Sequence, residues 1–92
     1  MPRTRTTSDR AAGRLILAVQ KVWGYYSGTD QAPMAEAVMN RAHDIQAAIT
    51  NQRLQEVLAG RTIREYLGAA WVSSHPGVSR AVGALEQSLN GV

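Results

Sequence analysis

At 92 residues with no cysteine, the chain sits just above the size at which a single core usually needs disulfides or metals. Disulfide scaffolds, thiolate metal sites and cysteine nucleophiles are excluded, and a cytoplasmic location is the expectation. The net charge of +3 is unevenly spread: residues 1–21 carry Arg3, Arg5, Arg10, Arg14 and Lys21 against Asp9 alone, while the remainder holds five bases against six acids.

The chain begins with an Arg- and Thr-rich stretch, residues 1–8, read as a basic N-terminal arm suited to nucleic-acid phosphates or an acidic protein surface. The longest apolar run, Leu15 to Val19, is far too short to span a bilayer, and Arg14 interrupts any secretory apolar stretch, so no membrane role is expected. Ser8 or Asp9 can cap a first helix running to about Ser27, with Ala12, Leu15, Val19, Val22 and Tyr26 recurring at spacings of three and four. In the "WGYY" group, Trp23 is expected toward the core and Tyr25 on the opposite face, where an exposed tyrosine suits protein contacts or base stacking.

Gly28 stops the first helix, and Thr29 or Asp30 can cap a second that tolerates Pro33 in its first turn. Its stripe is Ala35, Val38, Ala42, Ile45 and Ile49. Thr50 and Asn51 break the pattern before a short third helix with Leu54, Val57 and Leu58, closed by Gly60 as a left-handed cap. Thr62 and Glu65 have capping-box spacing at the head of a fourth helix, whose predicted buried face is Ile63, Tyr66, Leu67, Ala70 and Trp71. A fifth helix starts at Pro76, shows Val78, Val82, Leu85 and Leu89 on one face, and stops before Gly91. The expected fold is a single all-α domain over residues 1–92, a compact bundle of about five helices with the last two forming a helix-turn-helix.

Catalytic chemistry finds little support. His43 and His75 are the only imidazoles. His43 and Asp44 are adjacent on a helix and so point in different directions. Ser73 and Ser74 before Pro76 read as a cap and turn rather than a nucleophile with His75 as base. No GxxxxGK[ST] or GxGxxG pattern occurs. The reading is therefore of a non-enzymatic protein with no metal, no cofactor and no small-molecule substrate.

Binding remains, and "TIREYLGAAWVSSHPGVSRAVGALEQSLNG" can supply the parts of a helix-turn-helix: Gly68 where two helices approach, Trp71 and Val78 filling the space between them, and Ser74, His75, Ser79 and Arg80 projecting toward DNA. Ser74, Pro76, Val78-Ser79-Arg80, Val82, Leu85-Glu86 and Leu89 resemble the recognition-helix segment of LysR-type winged helix-turn-helix regulators. The resemblance implies transcription regulation, with DNA contacts from Ser74, His75, Ser79 and Arg80. From Thr62 onward the chain is neutral, with Arg64 and Arg80 against Glu65 and Glu86. Phosphate neutralisation dominates DNA affinity, so Arg3 and Arg5 of the arm are expected to complete the nucleic-acid-binding set. The alternative is a protein-interaction module, homo-oligomer, adaptor, inhibitor or small subunit of a phage-like assembly. Its partner interface would be Tyr25 with the stripe Val78, Val82, Leu85 and Leu89.

Overall fold

In the computed structural model, which describes residues 7–90, every regular element is helical: α1 Thr7–Tyr26, α2 Ala32–Thr50, α3 Leu54–Leu58, α4 Ile63–Leu67, α5 Ala69–Ser73 and α6 Pro76–Asn90. The radius of gyration is 13.0 Å, close to the roughly 12 Å expected of a globule this size. Two long-range contacts orient α1 and α6. Tyr26 at the end of α1 meets His75 just before α6, and Ser8 at the start of α1 meets Ser88 near the end of α6, so α1 and α6 run antiparallel. A five-residue turn reverses α1 into α2, which also packs along α1. The three short helices carry the chain from the end of α2 back to the head of α6.

The core follows the apolar stripes. Ala12, Leu15 and Val19 of α1, Val38, Ala42 and Ile45 of α2, and Val78, Val82 and Leu85 of α6 are fully or almost fully buried in one cluster with Ile63, Leu67 and Val72. Ala35 is equally buried, Val22, Ile49, Leu54 and Leu89 are half-buried and pack against the cluster, and Tyr26 and Val57 are half-buried as well. Among the described residues no polar or charged residue is buried, so the core is held by apolar area and packing alone.

Local chemistry shapes the connections, and it differs from the sequence expectation in five places. Thr7 and Ser8 are already helical, so neither Ser8 nor Asp9 sits in the capping position; the rest of the expected arm, residues 1–6, lies outside the described residues. Gln31, not Thr29 or Asp30, precedes α2. Thr29 instead fastens the turn: its hydroxyl donates to the Tyr26 carbonyl at 2.6 Å and accepts from the Gln31 amide at 3.2 Å. Beyond α2, the amides of Gln52 and Arg53 reach back to the carbonyls of Ile49 and Ala48, a Schellman closure with Gln52 at φ +58° where glycine is usual. Ala59 likewise takes the left-handed cap of α3 before Gly60 does.

The fifth difference matters most. The predicted fourth helix is two helices, because Gly68 at φ +112° and ψ +94° interrupts it. The break rotates the chain, so the buried sequence Ile63, Leu67 resumes at Val72. Ala70 is exposed, and Tyr66 and Trp71 are only half-buried. The capping box at the head of α4 is present in full: the Glu65 amide donates to Thr62 Oγ1 at 3.0 Å and the Thr62 amide to Glu65 Oε1 at 2.9 Å. The Thr62 backbone bond holds the Glu65 carboxyl below its ordinary pKa.

Candidate functional site

The residues expected to read DNA surround the α5–α6 turn, and their polar atoms are largely committed inside the chain. Ser74 is exposed, and its hydroxyl donates to the Ala70 carbonyl at 2.9 Å. His75 is half-buried, with Nδ1 2.7 Å from the Trp71 carbonyl and Nε2 3.1 Å from the Tyr26 hydroxyl. A carbonyl only accepts, so Nδ1 carries the proton and Nε2 of the neutral ring accepts from Tyr26. Both ring nitrogens are thereby used. The imidazole also lies over Trp71, with ring centroids 4.2 Å apart and planes tilted by 32°. Ser79 is engaged as well: Arg64 Nη1 donates to its hydroxyl at 2.9 Å and Nη2 to its carbonyl at 3.3 Å. Arg80, on the outer side of α6, is exposed and makes no side-chain bond with another described residue.

The geometry before α6 also departs from a helix-turn-helix. α4 and α5 are five residues each, so no continuous helix precedes the turn. Gly68 is not a helix–helix contact point, since a methyl group there would meet only Trp71 Cβ at 3.9 Å. Its contribution is the positive φ. Val78 fills the core as expected, whereas Trp71 turns toward His75, and its indole Nε1 is buried without a hydrogen bond. Such an orphan donor costs about 1–3 kcal/mol. Among the described residues there is no β-strand, the element a wing requires.

The proposed partner seam needs correction too. Val78, Val82 and Leu85 are 0% exposed and packed within the chain's own core, so no partner can touch them in this fold; Leu89 is half-buried. Tyr25 alone of that set is open, at 81% exposure. Trp23, expected inward, is 40% exposed, because it lies at the edge of the stripe that α2 and α6 cover.

The surface that the sequence reading missed is the outer face of α1. At about 100° per residue, Arg10, Arg14, Leu17, Lys21 and Tyr25 fall within an arc of about 80°, opposite the buried stripe, and span about 22 Å of helix. All five are exposed, Leu17 at 65%. Arg10, Arg14 and Lys21 form no ion pair with any described residue. The only acid in α1, Asp9, lies off this arc. The signal is in the sequence: the three cations keep a helical spacing within the predicted first helix, where charge counted over residues 1–21 as a whole does not single out a face. Arg3 and Arg5 lie outside the described residues.

Two other features complete the inventory. A cavity of about 430 Å³ opens between the end of α2, α3 and the end of α6, walled by Ile49, Leu54, Leu58, Ile63 and Leu89, with Glu86 as its one charged group. Among the described residues, no three His, Asp or Glu side chains come together to hold a metal ion, and no helix is long and apolar enough to cross a membrane. No protein-family model, curated protein or solved structure matches the chain.

Proposed function

We propose that this is a non-enzymatic DNA-binding protein that grips the phosphate backbone through the outer face of α1, working in the cytoplasm. The observation that carries the reading is the run Arg10, Arg14 and Lys21, exposed on one face and without acidic neighbours on it. A row of cations needing no internal partner gains most by displacing counterions from a polyanion. Arg3 and Arg5, which precede this face in sequence, extend the same charge. The internal bonds of His75 and Ser79 favour backbone binding over base reading by α6, leaving Arg80 as the one recognition-segment group free to reach a phosphate or a base.

The protein-partner reading shifts to the same face. The exposure of Leu17 and Tyr25 there, and of Met34 at the start of α2, suits a protein surface, which would have to be acidic to meet the cations.

Binding of a short mixed-sequence duplex across a salt series tests the proposal. Each phosphate contact contributes about 0.9 to the log–log salt slope. The combined variant Arg10→Ala, Arg14→Ala, Lys21→Ala should therefore lower the slope by about 3 while the protein stays folded. Absence of salt-sensitive binding by the wild-type chain, or an unchanged slope in the variant, would overturn it.

A further inference from the structure

Tyr25 continues the basic stripe by one helical turn beyond Lys21, and it is the most exposed large apolar side chain among the described residues, at 81%. Burying it in water's place would gain free energy, and nothing in the fold covers it. It is nevertheless held. Its ring meets Tyr26 edge to face, with centroids 5.2 Å apart and planes at 76°. Tyr26 in turn is anchored by its hydroxyl on His75 Nε2 at 3.1 Å, and its ring meets the imidazole at 5.7 Å and 90°. His75 is fixed by the Trp71 carbonyl and stacked on the indole. The series Tyr25, Tyr26, His75, Trp71 thus ties an exposed ring to the α5–α6 turn through half-buried supports. A ring ordered in advance loses little entropy when a partner lands on it.

We infer that Tyr25 is a base-stacking platform at the end of the α1 phosphate track, and that the preferred ligand of this face is single-stranded nucleic acid. The inference rests on the phosphate-binding reading of α1 and deepens it. In a duplex the base faces are stacked on each other and closed to an outside ring; in a single strand each base offers a face. A track of cations leading to an aromatic ring is the combination that single-strand binders use, backbone on the charges and base on the ring. Arg14 and Lys21 lie about 16 Å and 6 Å of helix rise before Tyr25, so a strand following them arrives at the ring with its backbone already engaged.

The experiment measures affinity for an oligo(dT) strand and for a mixed-sequence duplex of equal length at one salt concentration. The variants are Tyr25→Ala, Tyr25→Phe and Arg14→Ala, each checked by thermal melting. The wild-type chain should bind the single strand more tightly. Tyr25→Ala should weaken oligo(dT) binding about fivefold or more and leave duplex binding within about twofold, whereas Tyr25→Phe, which keeps the ring, should retain the preference. Arg14→Ala should weaken both ligands. Equal binding of strand and duplex by the wild type, or equal losses on both ligands in Tyr25→Ala, overturns the platform while leaving the phosphate track standing. Failure to bind either ligand removes both.

Discussion

Replacing Gly68 by alanine isolates one backbone angle. At φ +112° and ψ +94° this residue occupies a region that L-amino acids rarely enter. Even the milder left-handed helical region costs a side-chain-bearing residue about 1–2 kcal/mol, and sparsely populated conformations cost about 1–3 kcal/mol. Space does not add to this: the new methyl would lie 3.9 Å from Trp71 Cβ, an ordinary contact, with no closer neighbour. The cost is thus almost purely conformational, about 2 kcal/mol. In a domain of this size each kcal/mol moves the melting temperature by about 4–8 °C, so Gly68→Ala should melt about 8–16 °C below the wild type. Gly13 supplies the opposite case. It is inside α1, and a methyl there would meet no atom within 4 Å, so Gly13→Ala should gain about 0.5–1 kcal/mol. Circular-dichroism melts of both variants, with a third protein carrying D-alanine at position 68, give the comparison. D-alanine suits positive φ and should melt at or above the wild type. A Gly68→Ala protein as stable as the wild type would refute the reasoning, since the chain would then be passing through residues 63–73 as one continuous helix.

Two further substitutions separate packing from recognition. Leu85 is fully buried, so Leu85→Ala should cost about 2–5 kcal/mol in chemical denaturation without altering sedimentation of the folded protein; unchanged stability would show that α6 does not pack as described. Arg80→Ala, at an exposed position, should leave the melting temperature unchanged and reduce the salt slope by about 1 at most, equally on all sequences. A selective loss of about 1–3 kcal/mol on one sequence would instead return base reading to α6.

Long-range periodicity was legible in the sequence, and single-residue backbone geometry was not. The stripes Ala12-Leu15-Val19, Val38-Ala42-Ile45 and Val78-Val82-Leu85 are buried as their spacing predicts, because a helix of fifteen residues or more repeats its pattern often enough to fix a face. The segment around Gly68 has no such redundancy. Ile63, Tyr66, Leu67, Ala70 and Trp71 fit a helical repeat, and only the φ of one glycine decides that the register restarts at Val72. The capping box was readable because its two residues specify each other locally. The tertiary bonds of Ser79 and His75 were not, since their partners Arg64 and Tyr26 lie 15 and 49 residues away, and sequence spacing carries no information about such pairs.

The outer face of α1 is where the two kinds of information meet. Its charges were visible in the sequence; that they share an uncovered face follows only from α2 and α6 both packing against the opposite side. If a phosphate backbone lies on this face as proposed, Gly13 and Gly24 bear on how closely it approaches. Each costs α1 about 0.5–1 kcal/mol relative to alanine, and neither is required by internal packing, because a methyl group at either position would meet no atom within 4 Å. Gly24 is exposed, and both residues border the arc of Arg10, Leu17 and Lys21. A helix without side chains beside its cations lets a phosphate backbone lie closer to them, and Coulomb attraction grows as that distance shrinks. Gly13→Ala thus has two readouts. If the missing side chain serves close approach, the variant melts higher but binds nucleic acid more weakly. A higher melting temperature with unchanged affinity would show that the glycine plays no part in the contact, and would confine the interface to the charged side chains and Tyr25.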